Sequence, residues 1–366
     1  MILMNDFRRE PAELRAAMLR AVERVIDSGH YVLGPELAAF ERAWAAACAV
    51  PWAVGVGNGM DAIDIALRAA GIGQGDEVVT TSMSAFATAL AIARTGATPV
   101  LADITPGTAL LDFASVERCI GPRVRAVVLV HLYGRMHLAG EWAEFCAQRG
   151  LLLIEDCAQA HGAVQAGRPA GSIGVAGAFS FYPTKNLGAI GDAGMLVTVD
   201  EGLAARAAML RNYGQSERYL HPVAGMNSRL DELQSALLGE RLVWLAAFTD
   251  RRRAIAAAYR AGIRHPAVWL LDASPEPRAH VHHLFVVLCE RRDALQRHLS
   301  ERGVQSLIHY PVPLHAQGGA SGFGVDPAGL PVAERHARLC LSLPCHPSLT
   351  DAEVAQVIDA VNSFAS

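Results

Sequence analysis

The chain has 366 residues, 52% hydrophobic and 19% charged, a composition that suits a soluble globular protein with room for two domains. A formal charge of −4 leaves no electrostatic case for binding nucleic acid or an anionic membrane. Cysteines at 48, 119, 146, 157, 289, 340 and 345 show no CxxC pair or zinc-like spacing, and their odd number argues against a disulfide framework and for a reducing cytoplasm.

At the N-terminus, "MILMNDFRRE" has too few apolar residues for a secretory segment, and no apolar run in the chain reaches membrane-spanning length. From about 53 to 200, short apolar runs alternate with helical patterns. "AVGVG" (53–57) precedes "MDAIDIALRAAG", whose apolar residues fall at helical spacing and which stops at Gly71. "DEVVTT" is followed by "AFATALAIARTG" and "TPVLAD"; "RAVVLVHLYG" leads through "LAGEWAEFCAQRG" to "LLLIED". Such alternation demands crossover connections and predicts an α/β fold, its mostly parallel sheet covered by helices on both faces. Ligands in these sheets gather at the carboxyl ends of strands. Polar residues directly after apolar runs are therefore candidates: Gly57-Asn58-Gly59, Asp103, His131, Asp156 and Ser180.

From about 203 to 260 the pattern is helical. The triplet Arg251-Arg252-Arg253, beside Asp250, reads as a solvated helix face. A proline-rich stretch, the strand-like "HHLFVVLCE" and two helix-like segments follow. They predict a smaller C-terminal α/β domain over 246–366 beside a large domain over 1–245. His282 and His283 fall on the predicted strand; without carboxylate or cysteine company they read as packing rather than metal ligands, and no metal is expected.

Lys185, in "FSFYPTKNLGAIGDAG", is the only lysine among 32 Lys plus Arg. Arginine serves wherever only charge matters, but a guanidinium cannot lose its proton and attack a carbonyl. The alternative is a chance survivor of codon bias that snorkels its amine to the surface. Three further features change the balance. Asp156 and Ser180 end apolar runs, and Gly57-Asn58-Gly59 opens a helix whose free N–H groups favour an anion. That turn is not a dinucleotide motif, because Met60 stands where a third glycine is needed. Together these match pyridoxal phosphate, which needs a lysine for a Schiff base, a carboxylate for its pyridine nitrogen and donors for its phosphate.

"GNGMDAIDIALRAAGIGQGDEVVT", "VHLYGR", "IEDCAQAHGA", "FSFYPTKNLGAIGDAG", "RNYGQ", "NSRLDELQSALL" and "HYPVPLH" together resemble the DegT/DnrJ/EryC1/StrS family, over nearly the whole chain. The resemblance implies the fold-type I architecture of pyridoxal-phosphate-dependent transferases and amination of keto groups on nucleotide-linked sugars. It implies that Lys185 forms the Schiff base and shuttles the proton, Asp156 pairs with the pyridine nitrogen, and Gln159 lies against the ring. Ser180 and the N–H groups of Gly59 and Met60 would hold the phosphate. Asn227 would reach the phosphate of a neighbouring subunit's cofactor, making the active unit a homodimer; it would also suit a helix N-cap. His161 would lie near the site or pack in the core.

Two positions depart from the family pattern. Met60 replaces a usual threonine, losing a hydroxyl, and Ala85 replaces a usual aromatic that stacks on the cofactor. Neighbouring Phe86 is a poor substitute, since adjacent helical residues do not share a face. "LIHYPVPLH" resembles members that aminate C3 of dTDP- or UDP-linked keto sugars, which makes His309 and Tyr310 substrate contacts, unless Pro311 and Pro313 merely fix a loop. L-Glutamate is the implied amino donor. A C4 or inosose aminotransferase is the near alternative, and a non-catalytic regulatory protein of the same fold the distant one.

Overall fold

The computed structural model describes residues 1–365. Helices α1 (Ala12–Ser28) and α2 (Pro35–Ala47) precede an alternating region. In it, strands β1 (Trp52–Val56), β2 (Glu77–Thr81), β3 (Thr98–Ala102), β4 (Val124–Val130) and β5 (Leu152–Asp156) are separated by α3 (Gly59–Ala69), α4 (Phe86–Arg94), α5 (Phe113–Cys119) and α6 (Ala139–Gln148). A hairpin of β6 (Val164–Gln165) and β7 (Arg168–Pro169) leads to β8 (Ala176–Ser180) and β9 (Gly194–Thr198). Then come α7 (Glu201–Leu210), α8 (Glu232–Leu242) and α9 (Leu245–Gly262). The remainder holds β10 (Trp269–Leu270), β11 (Phe285–Leu288), α10 (Arg292–Glu301), β12 (Gly324–Val325), α11 (Pro331–Leu339), β13 (Cys340–Leu343) and α12 (Asp351–Asn362).

The main sheet has the order β1-β9-β8-β5-β4-β2-β3-β12. It is mostly parallel, as the alternation predicts; β9 runs against both of its neighbours. Helices cover both faces, which is why β4 and β5 are almost continuously apolar rather than alternating. Ile63, Ala66 and Leu67 of α3 pack on Val54, Val56 and Leu196, pinning that helix's N-terminus beside the ends of β5 and β8. Asn58 caps it by accepting from the Asp61 N–H at 2.8 Å.

A second, antiparallel sheet, β10-β11-β13, packs with α9, α10 and α12 around Tyr259, Phe285 and Leu299. The chain does not part cleanly at residue 245. Ile2 joins this second core, and the two residues of β12 return to pair with β3 in the main sheet.

Several sequence expectations change here. Asp103 is a structural cap, accepting from the Val332 and Ala333 N–H groups at the start of α11, at 3.0 and 2.8 Å. His282 and His283 precede β11 instead of lying on it. Asn227 is no N-cap, because α8 begins after Asp231. All seven cysteines are buried free thiols. Among the described residues, no helix is long and apolar enough to cross a membrane.

Candidate active site

The carboxyl ends of β5 and β8 meet the N-terminus of α3 at a partly open cavity. Gly59, Met60, Ala85, Asp156, Gln159, Ser180 and Lys185 all line it, although they come from four separate stretches of sequence. A Cβ on Gly59 would stand 2.5 Å from the Ser180 Cβ, so only glycine lets the helix end approach the strand end this closely. The first turn of α3 presents N–H groups that its own helix cannot satisfy, beside a serine hydroxyl. Donors arranged in this way suit a phosphate.

Asp156 is buried and accepts two hydrogen bonds, from Thr88 Oγ1 at 2.8 Å and from the Ala158 N–H at 3.0 Å. Burial raises its pKa, and the Ala158 N–H, the Thr88 hydroxyl and the Lys185 charge only partly offset this. Such a carboxylate gains from a further cationic donor, and a protonated pyridine nitrogen is one. Lys185 shows the converse. Burial lowers its amine to about 8 against the pull of Asp156, so a usable fraction is neutral near physiological pH. Cradle, carboxylate and amine together fit pyridoxal phosphate.

Gln159 is held at both ends. Its Oε1 accepts from the Tyr133 N–H at 2.6 Å, and its Nε2 donates to the Tyr310 hydroxyl at 3.2 Å. Tyr133 in turn donates to the His309 carbonyl at 2.5 Å and meets His336 Nε2 at 2.9 Å. His309 Nδ1 lies 2.8 Å from Ser342 Oγ; burial first, then the Lys185 charge, depress its pKa to about 4 and keep it neutral. Tyr310 is therefore at the cavity through Gln159, and His309 stands one residue behind it.

His161 packs among Trp44, Phe179 and Phe181, with Nε2 2.9 Å from the Ser180 carbonyl. It is a core histidine that also fixes the strand end carrying Ser180. Phe86 turns away to stack on Phe323, so the cavity wall at Ala85 is not supplied with a ring by its neighbour. Asn227 does not join its own chain's cavity. It is exposed, next to Ser228, which accepts from the Gly57 N–H at 3.0 Å and donates to Asp61 at 2.7 Å.

Sequence reasoning missed Thr88 and Tyr133. A threonine in the first turn of a helix carries no sign that its hydroxyl meets a carboxylate 68 residues away. Tyr133 follows the β4 run as His131 does and was open to the same strand-end argument. His131 itself lies beneath the site: its Nε2 is 2.9 Å from Glu155 Oε2, near Cys157. Glu155 also accepts from the Gly171, Ile173 and Gly174 N–H groups, so its oxygens have no lone pair to spare for a cation.

Residues 12–362 match the model of the DegT/DnrJ/EryC1/StrS aminotransferase family. The chain belongs to this family. Across 98% of its length it is 46% identical to a dTDP-3-amino-3,4,6-trideoxy-alpha-D-glucose transaminase of Streptomyces venezuelae, covering 95% of that protein. A dTDP-3-amino-3,6-dideoxy-alpha-D-galactopyranose transaminase of Aneurinibacillus thermoaerophilus is 42% identical over 100% of this chain and 99% of its own length. Among solved structures, DesV of S. venezuelae in complex with a ketimine intermediate superimposes with a TM-score of 0.95. That alignment has 46% identity and covers 99% of this chain and 98% of that one. The fold is thus the fold-type I transferase architecture, and this member of the family is an aminotransferase.

Proposed function

We propose that this aminotransferase uses pyridoxal 5'-phosphate to move an amino group from L-glutamate to C3 of a keto sugar linked to dTDP or UDP, in the cytoplasm. The observation that carries the reading is the chain's single lysine, its amine tuned to about 8, sharing a cavity with an under-coordinated buried aspartate and a phosphate cradle. The two relatives named above are transaminases of 3-amino sugars, which favours C3.

In this reading Ser180 and the N–H groups of Gly59 and Met60 hold the phosphate, and Asp156 pairs with the ring nitrogen. The bound cofactor supplies an electron sink for the negative charge left when a proton departs from carbon. Lys185 Nζ takes and returns that proton as general base and acid, in both directions of transfer. Gln159, clamped between Tyr133 and Tyr310, orients the ring edge. Tyr310 and His309 form the sugar-facing wall. Asn227, exposed on its own chain, completes the phosphate site of a neighbouring copy in a homodimer.

The test runs the reaction in the amine-consuming direction. A nucleotide-linked 3-amino sugar with 2-oxoglutarate should yield glutamate, and L-glutamate alone should shift the visible absorbance of the bound cofactor. Lys185→Arg should abolish both, charge notwithstanding. A spectral response to glutamate with turnover only of 4-amino sugars or amino cyclitols would overturn the substrate but keep the chemistry. No response to any amino donor would overturn the chemistry.

A further inference from the structure

The triplet Arg251-Arg252-Arg253 reads from sequence as a solvated helix face, and the fold corrects this for its middle member. Arg252 is only 5% exposed and donates to the carbonyls of His282, His283 and Cys345. Its carbonyl partners His282 and His283 belong to a part of the molecule that the catalytic cavity does not use: the seam where the turn after β4 meets the loops flanking β10 and β11. There Arg135, Arg260, His280 and His282 line a small half-open cavity.

Arg135 donates to the Asp272 carbonyl at 2.7 Å and Arg260 to the Leu271 carbonyl at 2.8 Å, so both cations converge on one loop. Among the described residues their only opposite charge is the exposed Asp272, whose carboxylate lies against Gly107 and acts on them at longer range. Elsewhere, the half-buried Arg211 and Arg241 each hold a glutamate at 2.5 Å. His282 has φ +45°, a left-handed conformation that strains a non-glycine residue. Its ring stacks on His280 with centroids 3.8 Å apart, and its Nδ1 is buried without a partner. Burial and four surrounding arginines, at 260, 253, 252 and 135, keep that ring neutral. A strained backbone, an unpaired ring nitrogen and surplus positive charge in one place all cost stability.

We propose that this seam binds a small oxyanion of the phosphate type, held by the guanidinium groups of Arg135 and Arg260 and by the His282 ring. Planar guanidinium donors suit such an anion, and a neutral imidazole adds one N–H. The seam touches the catalytic cavity through Tyr133, which lines it and whose N–H is the donor to Gln159. An anion here stiffens the element that clamps Gln159.

The test uses enzyme whose cofactor has been fixed to Lys185 with borohydride, so that the cradle at α3 is already filled. If no such adduct forms, the cofactor reading fails separately. Calorimetric titration with inorganic phosphate, against sodium chloride at equal ionic strength, should show one saturable site per chain. Arg260→Gln and His282→Phe should each weaken it roughly tenfold or more, and Arg260→Lys should do so less. Should Arg260→Gln fail to fold, Arg135→Gln and His282→Phe decide in the same way. Absence of saturable binding, or full-strength binding in the folded variants, overturns the proposal. A parallel titration with a nucleoside diphosphate separates free from carried phosphate: binding of the nucleotide alone would also overturn it.

Discussion

Glu155 and Asp156 are adjacent carboxylates at the end of β5, both buried, pointing to opposite faces of the sheet. Glu155 meets four donors, from His131 and three backbone N–H groups. Burial alone would raise its pKa, but those donors win and hold it below the ordinary value. Asp156 meets two, and there burial wins. The same residue class, one position apart, is finished by the fold on one face and left with capacity for a ligand on the other. Saturation, more than burial, separates the structural carboxylate from the functional one.

The largest effect expected from this contrast is catalytic. Asp156→Ala should cut turnover by about a thousandfold while leaving the unfolding midpoint of the cofactor-free chain unchanged or raised. A variant with wild-type turnover would erase the distinction. Glu155→Gln should do the reverse, costing about 3 kcal/mol of stability in a denaturant titration while the folded fraction keeps its bound cofactor. The pH dependence carries the same sign. With its native pKa below the free value of 4.5, Glu155 contributes fully above about pH 4.5, and its contribution is lost as pH falls through the native value. Unfolding curves of the wild type and of Glu155→Gln should therefore converge on acidification.

Lys185 sharpens the comparison from the other side of the cavity. Cofactor capture by the cofactor-free enzyme, followed by absorbance, should rise with pH and level off above about 8. A rate still climbing toward 10.5 would show that burial does not tune the amine. Tyr310→Phe is the mildest test. Removing the hydroxyl that meets Gln159 should lower kcat/KM for the sugar by about tenfold and leave the glutamate-driven spectral shift intact.

Much of this site was legible in the chain. Lys185 announced itself by being the only lysine in an arginine-rich sequence, and Asp156 and Ser180 by their places at the ends of apolar runs. The same rule of strand ends also nominated Asp103 and His131, which the fold uses as a helix cap and as the partner of Glu155. Position along a strand tells that a side chain is at the rim. It does not tell how many donors the rest of the chain brings to it. Arg252 shows the same limit: its buried place among three carbonyls depends on loops up to 93 residues away.

The sequence by itself determined the alternating α/β order, the glycine that opens α3 and the one residue able to act as an amine nucleophile, because periodicity and side-chain chemistry are local properties. Only the tertiary structure decided which carboxylate is saturated, that Thr88 and Tyr133 belong to the site, and that four arginines crowd one strained histidine. Hydrogen bonding, desolvation and unbalanced charge are sums over neighbours, and those neighbours are chosen by the fold.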